Sequence, residues 1–125
     1  MTPQARAGAI DRVGQALSVA CALHCALVPL ILGLLPLAAA RAAEAVHFVL
    51  APFILATSLV AFVPGYLRHR SFLPGSLATV GCLLLLLGLA AQSEARETLL
   101  TVAASALLVV AHARNRSLWH RSCPH

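Results

Sequence analysis

Four long stretches without a charged residue limit the folds that this chain of 125 residues can adopt. A hydrocarbon core of about 30 Å needs roughly 20 apolar residues of helix. The stretches predict membrane-spanning helices over residues 13–40, 45–67, 71–93 and 96–113. The fourth is free of charge only from residue 98, so Arg96, Glu97 and Arg114 would have to extend their side chains toward the lipid headgroups.

The composition favours helices surrounded by lipid. Hydrophobic residues make up 60% of the chain and charged residues 10%, whereas about 25% of a soluble domain is charged. The net charge of +5 comes entirely from arginine, because the sequence contains no lysine. These arginines flank the apolar runs without any motif for reading bases or phosphates. We therefore expect the partner to be the lipid bilayer and not nucleic acid.

The arginines also predict an orientation. With both chain ends in the cytoplasm, the cytoplasmic segments carry Arg6, Arg12, Arg68, Arg70, Arg114, Arg116 and Arg121. The opposite side carries Arg41 and Arg96, which agrees with the positive-inside rule. Short loops favour antiparallel neighbours. The sequence thus predicts an all-α membrane protein, an antiparallel four-helix transmembrane bundle over residues 13–113, with residues 1–12 and 114–125 in the cytoplasm (N-in/C-in).

A cleavable signal sequence is the alternative interpretation of the first stretch. Arg6 and Arg12 precede it, and the small residues around Arg41 resemble a cleavage site. However, the apolar run over residues 13–40 is far longer than the signal core of about 7 to 15 residues. A retained spanning helix is therefore favoured.

Two cysteines and a histidine in the first span carry the clearest chemical signal. At 100° per residue, Cys21, His24 and Cys25 occupy about 100° of one helix face near the middle of the membrane. The same face continues toward the cytoplasm through Ser18, Gly14 and Asp11. Small and polar residues in a span normally face protein. Thiolate and imidazole suit Zn(II), Cu(I) or Hg(II)-like ions, so we predict a metal site here, with structural packing as the alternative.

Three further features of the spans concern structure: a conceivable disulfide in the first span, a third cysteine and two glycines. A disulfide between Cys21 and Cys25 is disfavoured, because their Cα atoms are about 6 Å apart on one helix with poorly directed Cβ atoms. Cys82 is interpreted as a small hydrophobic residue. Gly81 and Gly88 are candidates for a close helix contact within the chain or in a homodimer.

Further candidate ligands lie at the two ends of the bundle. Glu44 and His47 share a face at the outer end of the second span, where they would meet an incoming cation. An interfacial polar pair is the equally weighted alternative. The C-terminal segment offers His120, Cys123 and His125 as an exchange site for a soft or borderline ion.

Two histidines lie near the cytoplasmic ends of the second and fourth spans. His69 belongs to a basic turn and is expected to be exposed to water, with a ligand role as the alternative. His112 shares a face with Ser105 and Thr101, which predicts a polar seam between helices. Ligation by His112 is the less favoured interpretation.

The order of these motifs resembles that of MerC-domain proteins over about residues 9–117. The likeness rests on Asp11-Arg12-x-Gly14, Ser18-x-x-Cys21-x-x-His24-Cys25, Pro29, Glu44-x-x-His47, the stretch Gly65 to Arg70 with His69, and His112-x-x-Asn115. The resemblance implies a four-span protein of the bacterial inner membrane that is associated with inward movement of mercuric ion.

The resemblance also implies ligand roles and one departure from the family's pattern. Mercury-resistance members carry one cysteine pair in the first span and another at the cytoplasmic C-terminus. The first pair maps onto Cys21 with either His24 or Cys25. Of the second, Cys123 remains, flanked by His120 and His125. Imidazoles in place of thiols make the ligand set less soft, which brings zinc and copper into consideration beside mercury.

We therefore predict uptake or transfer of a soft or borderline cation (Hg, Zn or Cu) by thiol and imidazole ligand exchange, toward a cytoplasmic thiol acceptor. Neither a resident cofactor nor enzymatic activity is expected, because the sequence contains no ATP-binding loop, hydrolytic triad or dinucleotide fingerprint. One alternative is a non-transporting metal-binding accessory or sensor protein. The other, a four-span thiol oxidoreductase, is disfavoured because no second thiol pair lies on the outer side.

Overall fold

The computed structural model describes the backbone of residues 3–32 and 37–121, and the side chains of residues 5–27, 45–46 and 48–121. Within these ranges the chain forms four helices and no strand. They are α1 (Pro3–Leu32), α2 (Leu37–His69), α3 (Leu73–Leu89) and α4 (Glu94–Arg121). The prediction of an all-α protein is confirmed.

Helices α1, α2 and α4 extend past predicted spans at boundaries that charged residues were expected to mark. The first helix begins at Pro3 rather than near residue 13. The second includes the segment 41–44, which separates two apolar stretches in the sequence, and the fourth continues to Arg121. Arginine, alanine and glutamate are good helix formers. A charged segment built from them therefore lengthens a helix instead of interrupting it.

A tight turn separates α2 from α3 and makes α3 shorter than its predicted span of residues 71–93. Arg70 adopts a φ of 54°, and its N–H donates to the carbonyl of Tyr66 at 2.9 Å. This left-handed residue ends α2, as commonly occurs at helix C-termini. Pro74 then occupies the first turn of α3, where its missing N–H leaves no hydrogen bond unmade.

Among the residues that the structure describes, two stretches of helix are long and apolar enough to cross a membrane. They are Phe48–His69, with a mean hydropathy of 2.1, and Glu94–Arg121, with a mean hydropathy of 1.3. The third helix, Leu73–Leu89, is apolar but has 17 residues. Much of the predicted first span lies outside the described side chains.

The fourth helix holds the fold together, because it packs extensively against both α1 and α3. Its contact with α3 depends on glycine. A Cβ atom added at Gly81 would lie 2.9 Å from Cγ of Leu108, and one added at Gly88 would lie 2.8 Å from Cγ2 of Thr101. Both glycines therefore allow a close approach of helices within the chain, as their positions suggested.

The distribution of polarity is the reverse of that in a water-soluble bundle. Large apolar side chains are exposed along the helices, among them Phe48, Phe53, Leu59, Leu83, Leu87 and Leu99. The buried residues include polar ones that are at most 4% exposed: Asp11, Ser18, Ser58, Thr101, Ser105, His112 and Asn115. Polar residues that face the protein interior behind an apolar exterior are typical of helices in lipid.

Candidate metal site

The thiols of Cys21 and Cys25 form a buried pair on α1. The two side chains are 1% and 2% exposed, and their Sγ atoms lie 3.9 Å apart with a sulfur hydrogen bond between them. The four-residue spacing places them one above the other on the inner face of the helix. Neither cysteine forms a disulfide. Two thiols at this separation are positioned to bind one soft ion.

His24 does not complete a three-ligand site with the two thiols. Its side chain is half-buried, at the edge of the face that the cysteines occupy. Among the described residues, no three histidine, cysteine, aspartate or glutamate side chains are arranged to hold a metal ion. The helix accounts for this difference from the prediction, because His24 precedes Cys25 by one residue and so points about 100° away from it.

The buried face of α1 lies against the polar seam of α4. The hydroxyl of Thr101 interacts with the thiol of Cys25 and donates to the carbonyl of Glu97 at 2.7 Å. Thr101, Ser105 and His112 are all buried, which confirms the predicted seam. The thiol pair therefore faces hydroxyl groups of the neighbouring helix.

A second buried polar group lies farther along the same seam and joins the beginning of α1 to the end of α4. Nδ1 of His112 lies 2.9 Å from Oδ1 of Asp11. The amide of Asn115 donates to both carboxylate oxygens, at 3.2 Å and 3.0 Å, and to the carbonyl of Ala61 at 3.3 Å. Asp11 and His112 are 0% exposed and Asn115 is 1% exposed. The cluster thus ties three helices together.

His69 attaches α2 to this cluster, whereas the sequence favoured a solvated side chain. Its ring is half-buried, and Nε2 lies 3.0 Å from Oδ1 of Asn115. Nδ1 accepts the N–H of Ser71 at 3.1 Å, so Nε2 carries the proton and donates to the amide oxygen. Because both ring nitrogens are engaged, His69 presents no lone pair to a cation in this arrangement. Both the expected exposure of His69 and its alternative ligand role assumed a turn in which the ring faces water. In the structure the ring instead bonds to Ser71 and Asn115.

Two glycines make room for the cluster. A Cβ atom at Gly14 would collide with the imidazole of His112, and one at Gly65 would collide with the amide oxygen of Asn115. Helices α1 and α2 therefore present bare backbone to these two side chains. Gly14 and Gly65 belong to the sequence motifs around Asp11 and His69, and the structure brings those motifs to one place.

Three buried polar atoms along the seam have no hydrogen-bond partner among the described residues. They are Oγ of Ser18, Oγ of Ser105 and Nε2 of His112. Ser18 lies on α1 between the thiol pair and Asp11, and Ser105 lies on α4 between Thr101 and His112. Buried polar atoms are normally satisfied by protein, water or an ion.

The other predicted ligands are not gathered at this site. His120 lies exposed near the end of α4. The side chains of Glu44 and His47 and the residues Cys123 and His125 lie outside the described part of the chain, so their predicted roles stay predictions. Cys82 is half-buried and lines an open groove between α2 and α3 rather than the seam.

Sequence reasoning placed Asp11 on the inner face of α1 but assigned it no contact, and it gave Asn115 no role beyond a family motif. The signal for Asp11 is its spacing, because it continues the face of Gly14, Ser18 and Cys21 at helical periodicity. The partner of Asp11 lies 101 residues away in the sequence. Local periodicity therefore cannot identify it.

Helices with an apolar exterior and buried polar residues define a small helical membrane protein, in which the buried thiol pair is the candidate metal site. A family model confirms and narrows this class, because residues 11–117 match the family described as MerC mercury resistance protein. The chain belongs to the MerC family, a family of membrane proteins that is associated with mercury resistance and metal transport and is not a known enzyme family. No curated protein and no solved structure matches the chain.

Proposed function

We propose that this protein moves a soft cation, with Hg(II) as the reference substrate, across the bacterial inner membrane by exchange between thiol and imidazole ligands. The observation that supports this most directly is the 3.9 Å separation of the Cys21 and Cys25 sulfur atoms inside the bundle. A bare divalent ion in hydrocarbon is prohibitively costly. Two thiols that lose their protons on binding neutralise the ion at that depth.

The proposed arrangement is an antiparallel bundle of four spans with both ends in the cytoplasm. Contacts at one end of the bundle support it: His112 near the end of α4 lies against Gly14 near the start of α1, and Asn115 reaches the carbonyl of Ala61 in the last part of α2. The rings of Tyr66 and Phe72 contact each other across the α2–α3 turn in a tilted arrangement, at a centroid distance of 4.8 Å. This end also carries most of the arginines, as the positive-inside rule requires of the cytoplasmic side.

The proposed route begins at Glu44 and His47, passes the thiol pair with His24 as an auxiliary ligand, and ends at the cytoplasmic residues His120, Cys123 and His125. His69 enters this route only if it gives up one of its two hydrogen bonds. Zinc and copper are the other candidate cargoes, because the terminal ligand set is less soft than a second thiol pair. A cytoplasmic thiol would accept the ion, and a homodimer is one possible assembly.

Uptake of Hg(II) by cells that express matched variants tests the central role of the thiol pair. We expect Cys21→Ala/Cys25→Ala to abolish protein-dependent uptake and Cys82→Ala to leave it unchanged. Cys82 is the control because it is a thiol of the same bundle that lies in a different groove. Wild-type uptake by the double variant, at equal protein level in the membrane, contradicts the proposal.

Reconstitution distinguishes a transporter from the accessory or sensor protein. Pure protein in liposomes should carry external Hg(II) into the vesicles, where a thiol chelator binds the ion. Binding without flux would instead support the accessory function. A mixed disulfide between Cys21 or Cys25 and a substrate protein would support the thiol oxidoreductase.

A further inference from the structure

His112 has a nitrogen that the thiol-pair proposal does not use. The ring is 0% exposed, its Nδ1 lies 2.9 Å from the carboxylate of Asp11, and its Nε2 has no partner among the described residues. A buried imidazole with one nitrogen held by a carboxylate and the other open differs from a packing histidine, whose two nitrogens would both be satisfied. A water molecule or an ion would satisfy this nitrogen.

The hydrogen bonds determine which nitrogen is open and in what form. A carboxylate can only accept, so Nδ1 of His112 donates its proton to Asp11. In the neutral ring, Nε2 then carries the lone pair. Asn115 donates to both oxygens of the same carboxylate, which fixes the orientation of Asp11. Histidines that bind metal ions are commonly held in this way, with the second ring nitrogen donating to a carboxylate.

The surroundings of the ring leave its open edge inside the bundle. Cε1 and Nε2 are the ring atoms nearest to the position that a Cβ at Gly14 would take. Any larger residue at position 14 would therefore collide with the imidazole. Gly14 lies on the same face of α1 as Ser18 and Cys21, so the imidazole of His112 packs against the helix face that carries the thiol pair.

The charge of the cluster also favours a cation. The polar contacts of Asp11 are with His112 and Asn115. Arg116, the charged neighbour of Asn115, directs Nη1 to Oε1 of Gln15 at 3.1 Å. A buried carboxylate is costly without a compensating positive charge, and a cation held on Nε2 would supply that charge through the imidazole.

We propose that Nε2 of His112 is a second, transient binding site for the soft cation, and that Asp11 positions it. The site lies on the cytoplasmic side of the thiol pair, about 10 Å away along two turns of α1. It rests on the proposed function. Since the described residues offer no three-ligand group, the ion would share His112 with water or a mobile thiol, which suits brief occupancy better than storage.

The test uses the full-length protein in nanodiscs with ¹⁵N-labelled histidine, and HgCl₂ as the probe. In the wild type, we expect one Nε2 resonance of the unprotonated type, which His112→Gln removes and which Hg(II) shifts. The same shift should persist in Cys21→Ser/Cys25→Ser, because His112 is a separate site. Asp11→Asn should invert the tautomer and abolish the shift, while the ultraviolet absorption of Hg bound to the thiol pair is retained.

The outcomes separate this inference from the proposed function. Loading of the thiols with an unchanged His112 resonance overturns the second site alone. Loss of thiol loading in the wild type overturns the proposed function. An Asp11→Asn protein that keeps the tautomer and the shift refutes the positioning role of Asp11. If Asp11→Asn does not fold, the wild-type titration decides whether His112 binds the ion, and Asn115→Ala, which frees the carboxylate to rotate, should weaken the shift instead.

Discussion

The carboxylate of Asp11 and the Nδ1 atom of His112 lie 2.9 Å apart, and neither side chain reaches solvent. This contact joins the first helix to the last across 101 residues of sequence. Asn115 and His69 extend it to the second helix. The end of the bundle is therefore closed by one hydrogen-bonded cluster rather than by apolar side chains.

Removal of the carboxylate should destabilise the protein. In Asp11→Ala, the donors of His112 and Asn115 lose their acceptor, and buried donors without a partner cost about 1–3 kcal/mol each. We expect a loss of about 2–4 kcal/mol of unfolding free energy, measured by denaturation in detergent followed by circular dichroism. Arg12→Ala is the matched control, because Arg12 is adjacent but exposed, and it should change stability by less than about 0.5 kcal/mol. Equal effects of the two variants would show that the cluster contributes nothing to the free energy of unfolding.

The glycines beside the cluster should tolerate no side chain. Gly14→Ala and Gly65→Ala place a methyl group against His112 and Asn115, and overfilling a packed site costs about 1–3 kcal/mol. Gly8 and Gly75 are matched controls, because a Cβ at either position meets nothing within 4 Å. Alanine in these helical positions should be neutral or stabilise by roughly 0.5–1 kcal/mol.

Thermal denaturation of the four alanine variants provides the measurement. If α1 and α2 approach α4 as closely as the structure shows, Gly14→Ala and Gly65→Ala should melt below the wild type. Gly8→Ala and Gly75→Ala should not. Four variants with the same melting temperature would mean that the helices are farther apart than the structure has them.

The thiol pair should bind a trivalent arsenical that bridges two sulfur atoms. Phenylarsine oxide needs two thiols close together, and the 3.9 Å separation of the Cys21 and Cys25 sulfurs meets this condition. Either Cys21→Ser or Cys25→Ser should lower the affinity by about 100-fold or more, because the second bond then loses its high effective concentration.

Cys82→Ser is the control for the arsenical experiment, and it should bind like the wild type. Binding can be followed by mass spectrometry of the intact protein. An arsenical that is retained equally in all three variants would place the reactive pair elsewhere, and the thiol pair of α1 would lose its assigned role.

The helix periodicity of the sequence was sufficient to predict the buried faces. The 100° rotation per residue places Cys21, Cys25 and Ser18 on one face of α1, and all three are buried. The seam of Ser105 and His112 on α4 was predicted in the same way. Such faces depend on local geometry, which a single sequence contains.

The contacts between faces could not be predicted in that way. The pairing of His69 with Asn115 depends on which helices are neighbours and on their relative height, and the two residues are 46 positions apart. The helix ends also do not follow from the charged residues, because a charged segment such as residues 41–44 lies within α2. The sequence thus indicates which residues face inward, whereas the partners they meet follow from helix packing.

The orientation of the bundle leads to a last prediction, which two exposed positions test. Gln92 lies in the turn between α3 and α4, and Arg70 lies in the turn between α2 and α3. With both chain ends in the cytoplasm, Gln92→Cys should react with a membrane-impermeant maleimide added outside intact spheroplasts. Arg70→Cys should react only after lysis.

Both variants are made in a Cys123→Ser background, so that the thiol near the C-terminus does not contribute. The buried pair Cys21 and Cys25 and the groove thiol Cys82 are retained, and the unsubstituted background measures their reaction with the reagent. Labelling of Arg70→Cys from outside, with protection of Gln92→Cys, would show that the bundle has the opposite orientation. The Asp11–His112 cluster would then lie at the outer end, where it would meet an arriving cation before the thiols do.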